Sequence, residues 1–230
     1  MIELHQFAPK FGLLNASPFC MKVEVFLRLA GLPYRTVNAS PVRTPKGKLP
    51  VLRDGATVVP DSEAILAYLQ AAHGMRMPAA LAAPETSREH LLRRVLEEHL
   101  YFAAVHFRWV EDAGWAQTRV FFDEVPAPVR GVLGAFVRRK MRRDLVGQGL
   151  GRHTRDEIAS KACADIDAID AELGDRPFFG GDEPRAIDAT AYAFLANLLL
   201  APVETPVKAH AAERPRLVAY AERMRQRVGA

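Results

Sequence analysis

The sequence predicts a small α/β domain followed by an all-helical domain. Up to about residue 73 the hydrophobic pattern changes every few residues, which is typical of short strands alternating with helices. After residue 84, apolar residues recur at helical spacing over long stretches. Between the two, residues 74–84 have the composition of a linker. We therefore predict an α/β domain over residues 1–75, a linker over 76–84 and a helical domain over 85–230.

The α/β half is predicted to alternate strands with two helices. Ser17-Pro18 begins the first helix and Gly31 ends it, because Ser caps helix starts, Pro fits the first turn and Gly fits the position after the last turn. Asp54-Gly55 is a hairpin turn, and Asp61-Ser62 begins the second helix. The strands are predicted at residues 2–7, 34–37, 48–52 and 57–59. A parallel pair joined by a helix and followed by a hairpin predicts one small mixed sheet.

The second half contains two motifs that begin helices. Thr86-Ser87-Arg88-Glu89 and Thr154-Arg155-Asp156-Glu157 are capping boxes, in which the first and fourth residues satisfy each other's backbone amides. Helices are predicted from these motifs to about residues 113 and 173, and over residues 126–143, 187–200 and 215–227. The whole chain is therefore predicted to be a thioredoxin-like α/β domain followed by an all-α domain.

Composition excludes several classes of protein. The chain has 230 residues, of which 49% are hydrophobic and 25% charged, as in ordinary globular proteins. A net charge of +4, spread along the chain, gives no reason to expect a nucleic-acid partner. Cys20 and Cys163 are far apart, which suits a reducing compartment, and no signal-peptide pattern opens the chain, so we expect a cytoplasmic protein. The longest apolar run, residues 189–203, is shorter than the ~20 residues of a membrane span, so no span is expected.

The first candidate site is Ser17-Pro18-Phe19-Cys20, at the predicted start of a helix. Unpaired amides and the helix dipole stabilise an anion there, so a thiol held at this point is favoured as its thiolate. Because Ser17 stands where a redox motif has its first cysteine, the motif cannot form a disulfide, and a hydroxyl is left to face a bound thiol. The alternative is that Ser17 only caps the helix and that Cys20 is a small buried apolar side chain.

Two further candidates lie at the start of a strand and at the start of a helix. The Leu49–Pro50 bond is a candidate cis peptide, which would turn the amide and carbonyl of Leu49 toward a peptide-like ligand; the alternative is an ordinary trans proline. At Asp61-Ser62, a hydroxyl, helix amides and a carboxylate suit the two charges of an α-amino acid. The alternative there is an N-cap and nothing more.

Taken in this order, the three candidates resemble the glutathione transferase superfamily. Ser17 matches the position that faces the thiol, Leu49-Pro50 the cis-proline, and Asp61-Ser62 the γ-glutamyl site. Longer stretches resemble the branch of metaxins, failed-axon-connections and cadmium-responsive proteins. These stretches are Ser17 to Glu24, Pro45 to Pro50, Asp61-Ser62, Gly149 to Glu157, Phe178 to Asp182 and Ile187 to Ala189. They lie in both halves, so the resemblance covers nearly the whole chain.

The resemblance implies a glutathione-dependent transferase. Ser17 would hold the sulfur of glutathione as a thiolate in the cleft between the two domains, for attack on a small electrophile. The residues implied to bind this co-substrate are Lys48, Leu49, Pro50, Asp61 and Ser62. Two alternatives remain open: a non-catalytic binding or adaptor module of the same fold, as in metaxin-like proteins, and a thiol-exchange enzyme in which Cys20 forms a mixed disulfide with glutathione. A homodimer is a further expectation from the family.

The first helix of the second half carries His99, Phe102, His106 and Trp109 at three- and four-residue spacing. The resemblance implies that this helix borders the electrophile, so Phe102, His106 and Trp109 are candidates for its pocket. The alternative is an amphipathic core face. No metal is expected, because His99 and His106 lie two turns, ~10 Å, apart, which is too far for one ion to bind both.

Two other features depart from or add to the pattern. A basic cluster runs from Arg138 to Arg143, with Arg152 and Arg155 beyond it. We interpret this cluster as a solvated helix face, with an anionic partner as the alternative. Arg185 stands where the superfamily usually has the Ser or Thr that caps the core helix, so we expect Asp188 and neighbouring backbone to begin that helix instead.

Overall fold

The described residues form one mixed sheet of four strands. A computed structural model of the chain describes residues 1–123 and 125–230. The strands are β1 (Ile2–Gln6), β2 (Tyr34–Asn38), β3 (Val51–Asp54) and β4 (Thr57–Pro60). They lie in the order β2-β1-β3-β4, with β1 parallel to β2 and the pairs β1–β3 and β3–β4 antiparallel. The predicted parallel pair followed by a hairpin is confirmed.

Two helices, α1 (Pro18–Leu29) and α2 (Ser62–His73), complete the α/β half. The helix α1 connects the parallel strands and packs against α2 and against a helix of the second half. It is so enclosed that its charged residues Lys22 and Glu24 are buried along with its apolar ones. The N-terminus of α1 therefore lies where the two halves of the chain meet.

The second half is helical, as predicted. Its helices are α3 (Ala79–Ala82), α4 (Ser87–Val95), α5 (Tyr101–Val105), α6 (Asp112–Thr118), α7 (Ala127–Gln148), α8 (Arg155–Leu173), α9 (Ala186–Leu199), α10 (Pro206–Ala212) and α11 (Pro215–Val228). Two π-helical segments, Leu96–Leu100 and His106–Val110, link α4 to α5 and α5 to α6. The single long helix predicted over residues 86–113 is therefore interrupted, because a π-helical segment places more residues in a turn than an α-helix does.

Helix α10 was not predicted from the sequence. Thr205 begins this helix by accepting a hydrogen bond from the Lys208 amide at 2.9 Å, and Pro206 is its first residue. This is the same pairing of a polar cap with a following proline that predicted α1. The signal was present in the sequence, but the helix has only seven residues and little periodicity to support it.

The segment predicted as a linker is packed onto the α/β half. It contains a short 3-10 turn, Gly74–Arg76, and the helix α3. Leu81 of α3 is 2% exposed, and the side chain of Gln70 donates to its carbonyl at 2.7 Å. These contacts hold the segment in place as part of the fold.

Asp188 organises the start of the central helix α9. Its carboxylate accepts hydrogen bonds from the amides of Phe179 at 2.7 Å, Gly180 at 3.0 Å and Arg185 at 2.9 Å. The hydroxyl of Tyr220 donates to the same carboxylate at 3.2 Å. The expectation that Asp188 and nearby backbone begin this helix, in place of a Ser or Thr cap, is confirmed.

One hydrophobic core runs through both halves of the chain. The helices α1 and α9 form its most extensive contact. Beside them, the ammonium of Lys22 donates to Glu97 Oε1 at 2.6 Å, and both side chains are buried. The junction between the halves is thus held by apolar packing and by a buried ion pair.

Candidate functional site

Three candidate segments meet at one edge of the sheet. The register of β3 and β4 pairs Val51 with Pro60, so Pro50 and Asp61 follow at the same end. Val51 also pairs with His5, which places the end of β1 at that edge. The loop that follows β1 leads directly into α1, whose first residue is Pro18. The topology therefore brings the starts of α1 and α2 close to the proline before β3.

Asn15 fixes the turn that leads into α1. This residue is fully buried; its Nδ2 donates to the carbonyl of Phe7 at 2.7 Å, and its Oδ1 accepts from the amide of Ser17 at 3.0 Å. Earlier in the loop, Phe11 and Gly12 have φ values of 62° and 69°. A residue with a side chain rarely adopts this conformation, and such positions cluster at functional sites.

Ser17 occupies the N-cap position of α1, with extended backbone at φ −93° and ψ 115°. In the described part of the chain, its hydroxyl caps none of the helix amides. Ser17 is half-buried, and a serine hydroxyl can both donate and accept a hydrogen bond. The amides of the first turn and the helix dipole favour an anion at the same point.

Cys20 lies in the interior, one turn further along α1. Its side chain is fully buried in a small cluster with Leu49 and Val51. Burial raises the pKa of the Cys20 thiol to about 11, although the Ser17 hydroxyl and the Phe7 amide lie near the sulfur and act to lower it. A buried thiol that stays protonated is a poor nucleophile, which argues against the exchange reaction through Cys20.

The Leu49–Pro50 peptide bond is cis, as the sequence analysis expected. Leu49 is 8% exposed, and its side chain packs on Cys20 at the first turn of α1. Among residues 1–123 and 125–230, no backbone hydrogen bond uses the amide or the carbonyl of Leu49. Lys48, the residue before it, is exposed. The loop thus places an unpaired backbone segment and a cation near Ser17.

Asp61 caps α2 in a strained conformation. Its Oδ1 accepts from the amides of Glu63 at 3.0 Å and Ala64 at 3.3 Å, while its backbone has a φ of 86°. Ser62, the first residue of the helix, is 5% exposed. The strain at a non-glycine residue beside the proline loop is a further sign that this edge of the sheet is functional.

The residues predicted to line an electrophile pocket lie on α5 and on the π-helical segment that follows it. Phe102 is half-buried, with its ring centroid 5.2 Å from that of Tyr101. His106 is 8% exposed; its Nε2 lies 3.3 Å from Glu111, and burial lowers its pKa. Trp109 packs against Trp115, Phe121 and Phe122. From His106 onward, the π-helical segment changes the register from that of an unbroken α-helix. The assignment of these three residues to a pocket stays a prediction.

His99, the fourth residue of the predicted stripe, pairs with a carboxylate. Its Nδ1 lies 2.5 Å from Asp165 of α8. Within the described ranges, no group of three or more His, Cys, Asp or Glu side chains is arranged to hold a metal ion. In the same part of the chain, no helix has the length and apolar character to cross a membrane.

A cluster of aromatic rings joins the loop before α1 to the second half. This cluster was not predicted from the sequence. Phe11 lies 5.1 Å from Phe121, which lies 5.9 Å from Trp109, measured between ring centroids. Arg108 is positioned over Phe11, with its guanidinium carbon 5.8 Å from the ring centroid. Sequence spacing could not reveal this cluster, because its members come from distant parts of the chain.

Several arginines of the basic cluster hold other segments of the second half in place. Arg138 donates to the carbonyls of Trp109 at 3.0 Å and Val110 at 2.7 Å, and Arg142 donates to Val110 at 3.2 Å. Arg155 lies 3.2 Å from Glu111. The interpretation as a simple solvated face is therefore too simple, since these arginines tie α7 and α8 to the segment around residue 110.

The architecture is that of a glutathione transferase: a thioredoxin-like sheet with a cis-proline, followed by helices, with candidate ligand residues at the junction. The chain matches the family model "Glutathione S-transferase N-terminal domain" over residues 18–114 and "Glutathione S-transferase, C-terminal domain" over residues 162–224. The chain belongs to the glutathione S-transferase superfamily.

Proteins similar to this chain fall into two groups, transferases and proteins related to metaxins. The isoprene-epoxide–glutathione S-transferase of Rhodococcus sp. (strain AD45) is 33% identical over 98% of both chains. Failed axon connections of Drosophila melanogaster is 27% identical over 99% of this chain, which spans 58% of that protein's length. The metaxin-1 homolog of Caenorhabditis briggsae is 26% identical over 96% of this chain and 72% of its own. The resemblance to the branch of metaxins and failed-axon-connections is thereby confirmed.

Solved structures show the same fold. Glutathione S-transferase III in its apo form superimposes with a TM-score of 0.64 over 100% of this chain and 96% of that chain, at 20% sequence identity. At this level of identity, the likeness shows the fold alone. The predicted fold class, an α/β thioredoxin-like domain followed by an all-α domain, is confirmed.

Proposed function

We propose that the protein is a glutathione-dependent transferase that activates the glutathione thiol for attack on a small electrophile. Glutathione would bind where the start of α1, the loop before β3 and the start of α2 meet. The observation that carries this proposal is the Ser17 hydroxyl, which stands at a helix N-terminus and, in the described chain, caps no helix amide.

The chemical task of such a site is modest. A free thiol has a pKa of about 8.5, so only a few per cent is ionised at neutral pH. A hydrogen bond from Ser17 and the positive end of α1 both favour the thiolate. Together they are expected to lower the thiol pKa by one or two units, each unit being about 1.4 kcal/mol.

Each part of the tripeptide has a suitable partner. The unpaired amide and carbonyl of Leu49 can bond the cysteinyl backbone as a short added strand. Lys48, exposed on the same loop, suits a carboxylate. At the other end, the start of α2 suits the γ-glutamyl carboxylate, and Asp61 suits its ammonium, since only Oδ1 of Asp61 is used in the helix cap.

The electrophile is proposed to be a small apolar epoxide. The name of the Rhodococcus relative specifies an isoprene epoxide as its substrate. In this chain, Phe11, Phe121 and Trp109 provide apolar surface beside the loop that leads to Ser17. The sulfur–carbon bond would form as the carbon–oxygen bond of the epoxide breaks, and the oxygen would take up a proton from water.

The direct test is the variant Ser17→Ala. We expect its conjugation rate with a small epoxide to fall by up to about tenfold near neutral pH, because a rise of the thiol pKa by about one unit to about 8.5 lowers the thiolate fraction at pH 7 from about a quarter to about 3%. Retention on immobilised glutathione should be nearly unchanged. Ser87→Ala is the matched control, because Ser87 is exposed at the start of α4 and the chemical change is the same. Equal turnover in the parent and Ser17→Ala would remove Ser17 from the mechanism.

A non-catalytic adaptor is the second candidate function. The similarity to failed axon connections and to a metaxin-1 homolog favours it, because neither name specifies a transferase. Calorimetry with glutathione separates the two: a transferase should release heat at millimolar ligand, whereas an adaptor that does not use glutathione should show none.

A cytoplasmic homodimer is proposed as the working state. Both cysteines are free thiols, which suits a reducing compartment. On α7, Val129, Val132, Leu133 and Phe136 recur at helical spacing and are all exposed, with Val132 at 72% and Phe136 at 65%. Sedimentation velocity on the parent and on Phe136→Glu tests this, since a charge on this face should favour the monomer if two copies meet there.

A further inference from the structure

Arg108 reaches from the second half of the chain to the loop that presents Ser17. It lies in the π-helical segment His106–Val110. Its Nη1 donates to the carbonyl of Ala16 at 2.9 Å, and its Nη2 donates to the carbonyl of Asn197 at 3.0 Å. The residue bonded by Nη1 is the immediate neighbour of Ser17 and lies 92 positions earlier in the chain.

The positive charge of Arg108 is not neutralised by an acid. Among the residues that the structure describes, no carboxylate lies within ion-pair distance of its guanidinium, which is bonded to carbonyl oxygens and an amide side chain. Arg93, which is buried, shows the usual arrangement: its Nε donates to Glu85 at 2.7 Å and its Nη1 lies 2.5 Å from Glu63. Burial lowers the pKa of Arg108 to about 10, so the group keeps its charge at neutral pH.

Asn197 completes the contact from α9. Its Nδ2 donates to the carbonyl of Asn15 at 3.1 Å, one residue before the carbonyl that Arg108 holds. The two carbonyls that precede Ser17 are therefore both fixed by side chains of the second half. We call these bonds from Arg108 and Asn197 to the Asn15 and Ala16 carbonyls the clamp. Because Asn15 in turn accepts a hydrogen bond from the Ser17 amide, the position of Ser17 depends on the clamp.

We propose that Arg108 is a positioning residue, which holds the Asn15–Ala16 backbone together with Asn197 and places an uncompensated positive charge beside the thiol-facing end of α1. This deepens the proposed function and rests on it for the part that concerns glutathione. The clamp orients Ser17, and the charge favours the thiolate over the thiol. The second half of the chain thus takes part in activating a ligand that the first half binds.

Other ionisable groups also lie near this end of α1. The titratable groups that face the first turn of α1 are Cys20 on α1 itself, Tyr101 on α5 and, one turn further, Glu24. Burial raises the pKa of both Cys20 and Tyr101, so both are uncharged at neutral pH. Glu24 is engaged by Gln6 at 2.6 Å and by Arg28 at 3.1 Å. Arg108 bonds the backbone immediately before this end of the helix, and Lys48 is a second cation near Ser17.

The test compares Arg108→Gln, which removes the charge, with Arg108→Lys, which keeps it. The first readout is hydrogen exchange of the peptide over residues 13–17 in the ligand-free full chain. The second is the thiol pKa of bound glutathione, followed by ultraviolet thiolate absorbance against pH. We expect Arg108→Gln to speed exchange severalfold and to raise the thiol pKa by about one unit. Arg108→Lys should recover most of the thiol pKa, because the charge is restored.

The paired variant Lys22→Met with Glu97→Met is the control. It removes a buried contact between the halves without changing the net charge, and replacing such a pair by apolar residues is often tolerated. The clamp is overturned if Arg108→Gln leaves exchange of residues 13–17 at the parent rate, or if the control speeds it equally. The role of the charge is overturned if Arg108→Gln leaves the thiol pKa unchanged.

These outcomes separate the clamp from the proposed function. If the parent chain binds no glutathione, the proposed function fails, and the exchange of the ligand-free protein still decides whether Arg108 holds the loop. If glutathione binds and exchange is unaffected by Arg108→Gln, the clamp fails while the transferase proposal stands.

Discussion

The two helices that begin at the candidate site, α1 and α2, use their first polar residue in opposite ways. At α2, one carboxylate oxygen of Asp61 accepts hydrogen bonds from the amides of Glu63 and Ala64. At α1, Ser17 has the corresponding position, but within the described residues its hydroxyl caps nothing, and Asn15 holds its amide instead. One helix start is capped by the side chain of its N-cap residue and the other is not. A polar residue before a helix therefore does not reveal by itself which of these purposes it serves.

The largest expected effect concerns the thiol inside α1. Cys20 is fully buried, so its reaction with an alkylating reagent requires local unfolding of α1. We therefore expect Cys20 to be alkylated about a thousandfold more slowly than the half-buried Cys163. Mass spectrometry of the partly alkylated native protein, with a denatured sample as control, measures this difference. Rapid labelling of Cys20 would show an open first turn and revive the exchange reaction.

The next effect comes from giving α1 the cap that α2 already has. In Ser17→Asp, a carboxylate should cap the helix, leave thermal stability unchanged or slightly raised, and place a negative charge where the thiolate is proposed. We expect conjugation to fall about a hundredfold, below the activity of Ser17→Ala, because like charges disfavour the thiolate. Activity above that of Ser17→Ala would contradict the electrostatic part of the mechanism.

A smaller effect is expected from removing the cap of α2. Asp61→Ala should lower the free energy of unfolding by about 1 kcal/mol, as for other N-cap losses. Ser17→Ala should change it by less than about 0.5 kcal/mol, because no helix cap is lost. Urea unfolding of both variants checks the contrast, and equal losses would show that the two helix starts are alike.

The smallest effect separates the cap of Asp61 from its backbone strain. Asp61 has a φ of 86°, which glycine adopts without strain and alanine does not. Asp61→Gly should therefore lie nearer the parent than Asp61→Ala, by about 1 kcal/mol in unfolding free energy. Asp61→Asn retains a capping oxygen and should be close to the parent in stability, while its loss of charge weakens glutathione binding in calorimetry.

Much of the fold was predictable because its signals are local. Caps, a hairpin turn and strand spacing placed β1 to β4, α1 and α2 within a few residues, although β3 begins at Val51 and not at Lys48. The π-helical segments and α10 were missed. A π-helical segment depends on packing against neighbouring helices, and a seven-residue helix offers too little periodicity to be recognised.

The candidate site was predictable only in part. The motifs at Ser17, Leu49-Pro50 and Asp61-Ser62 do lie at one edge of the sheet, because the β3–β4 register and the β1–α1 connection bring them there. The assignment of Phe102, His106 and Trp109 to the electrophile pocket stays a prediction. Phe11 and Arg108 carry no motif, and only their contacts identify them.

By itself, the sequence determined where helices begin, how the strands alternate and which polar residues stand at the helix starts, because these depend on neighbours within a few positions. The tertiary structure decided that the Ser17 hydroxyl caps no amide of the described chain, that Cys20 faces the interior, and that Arg108 reaches the backbone before Ser17. Those outcomes depend on packing between residues far apart in the chain, where burial and charge are set by partners that no local pattern specifies.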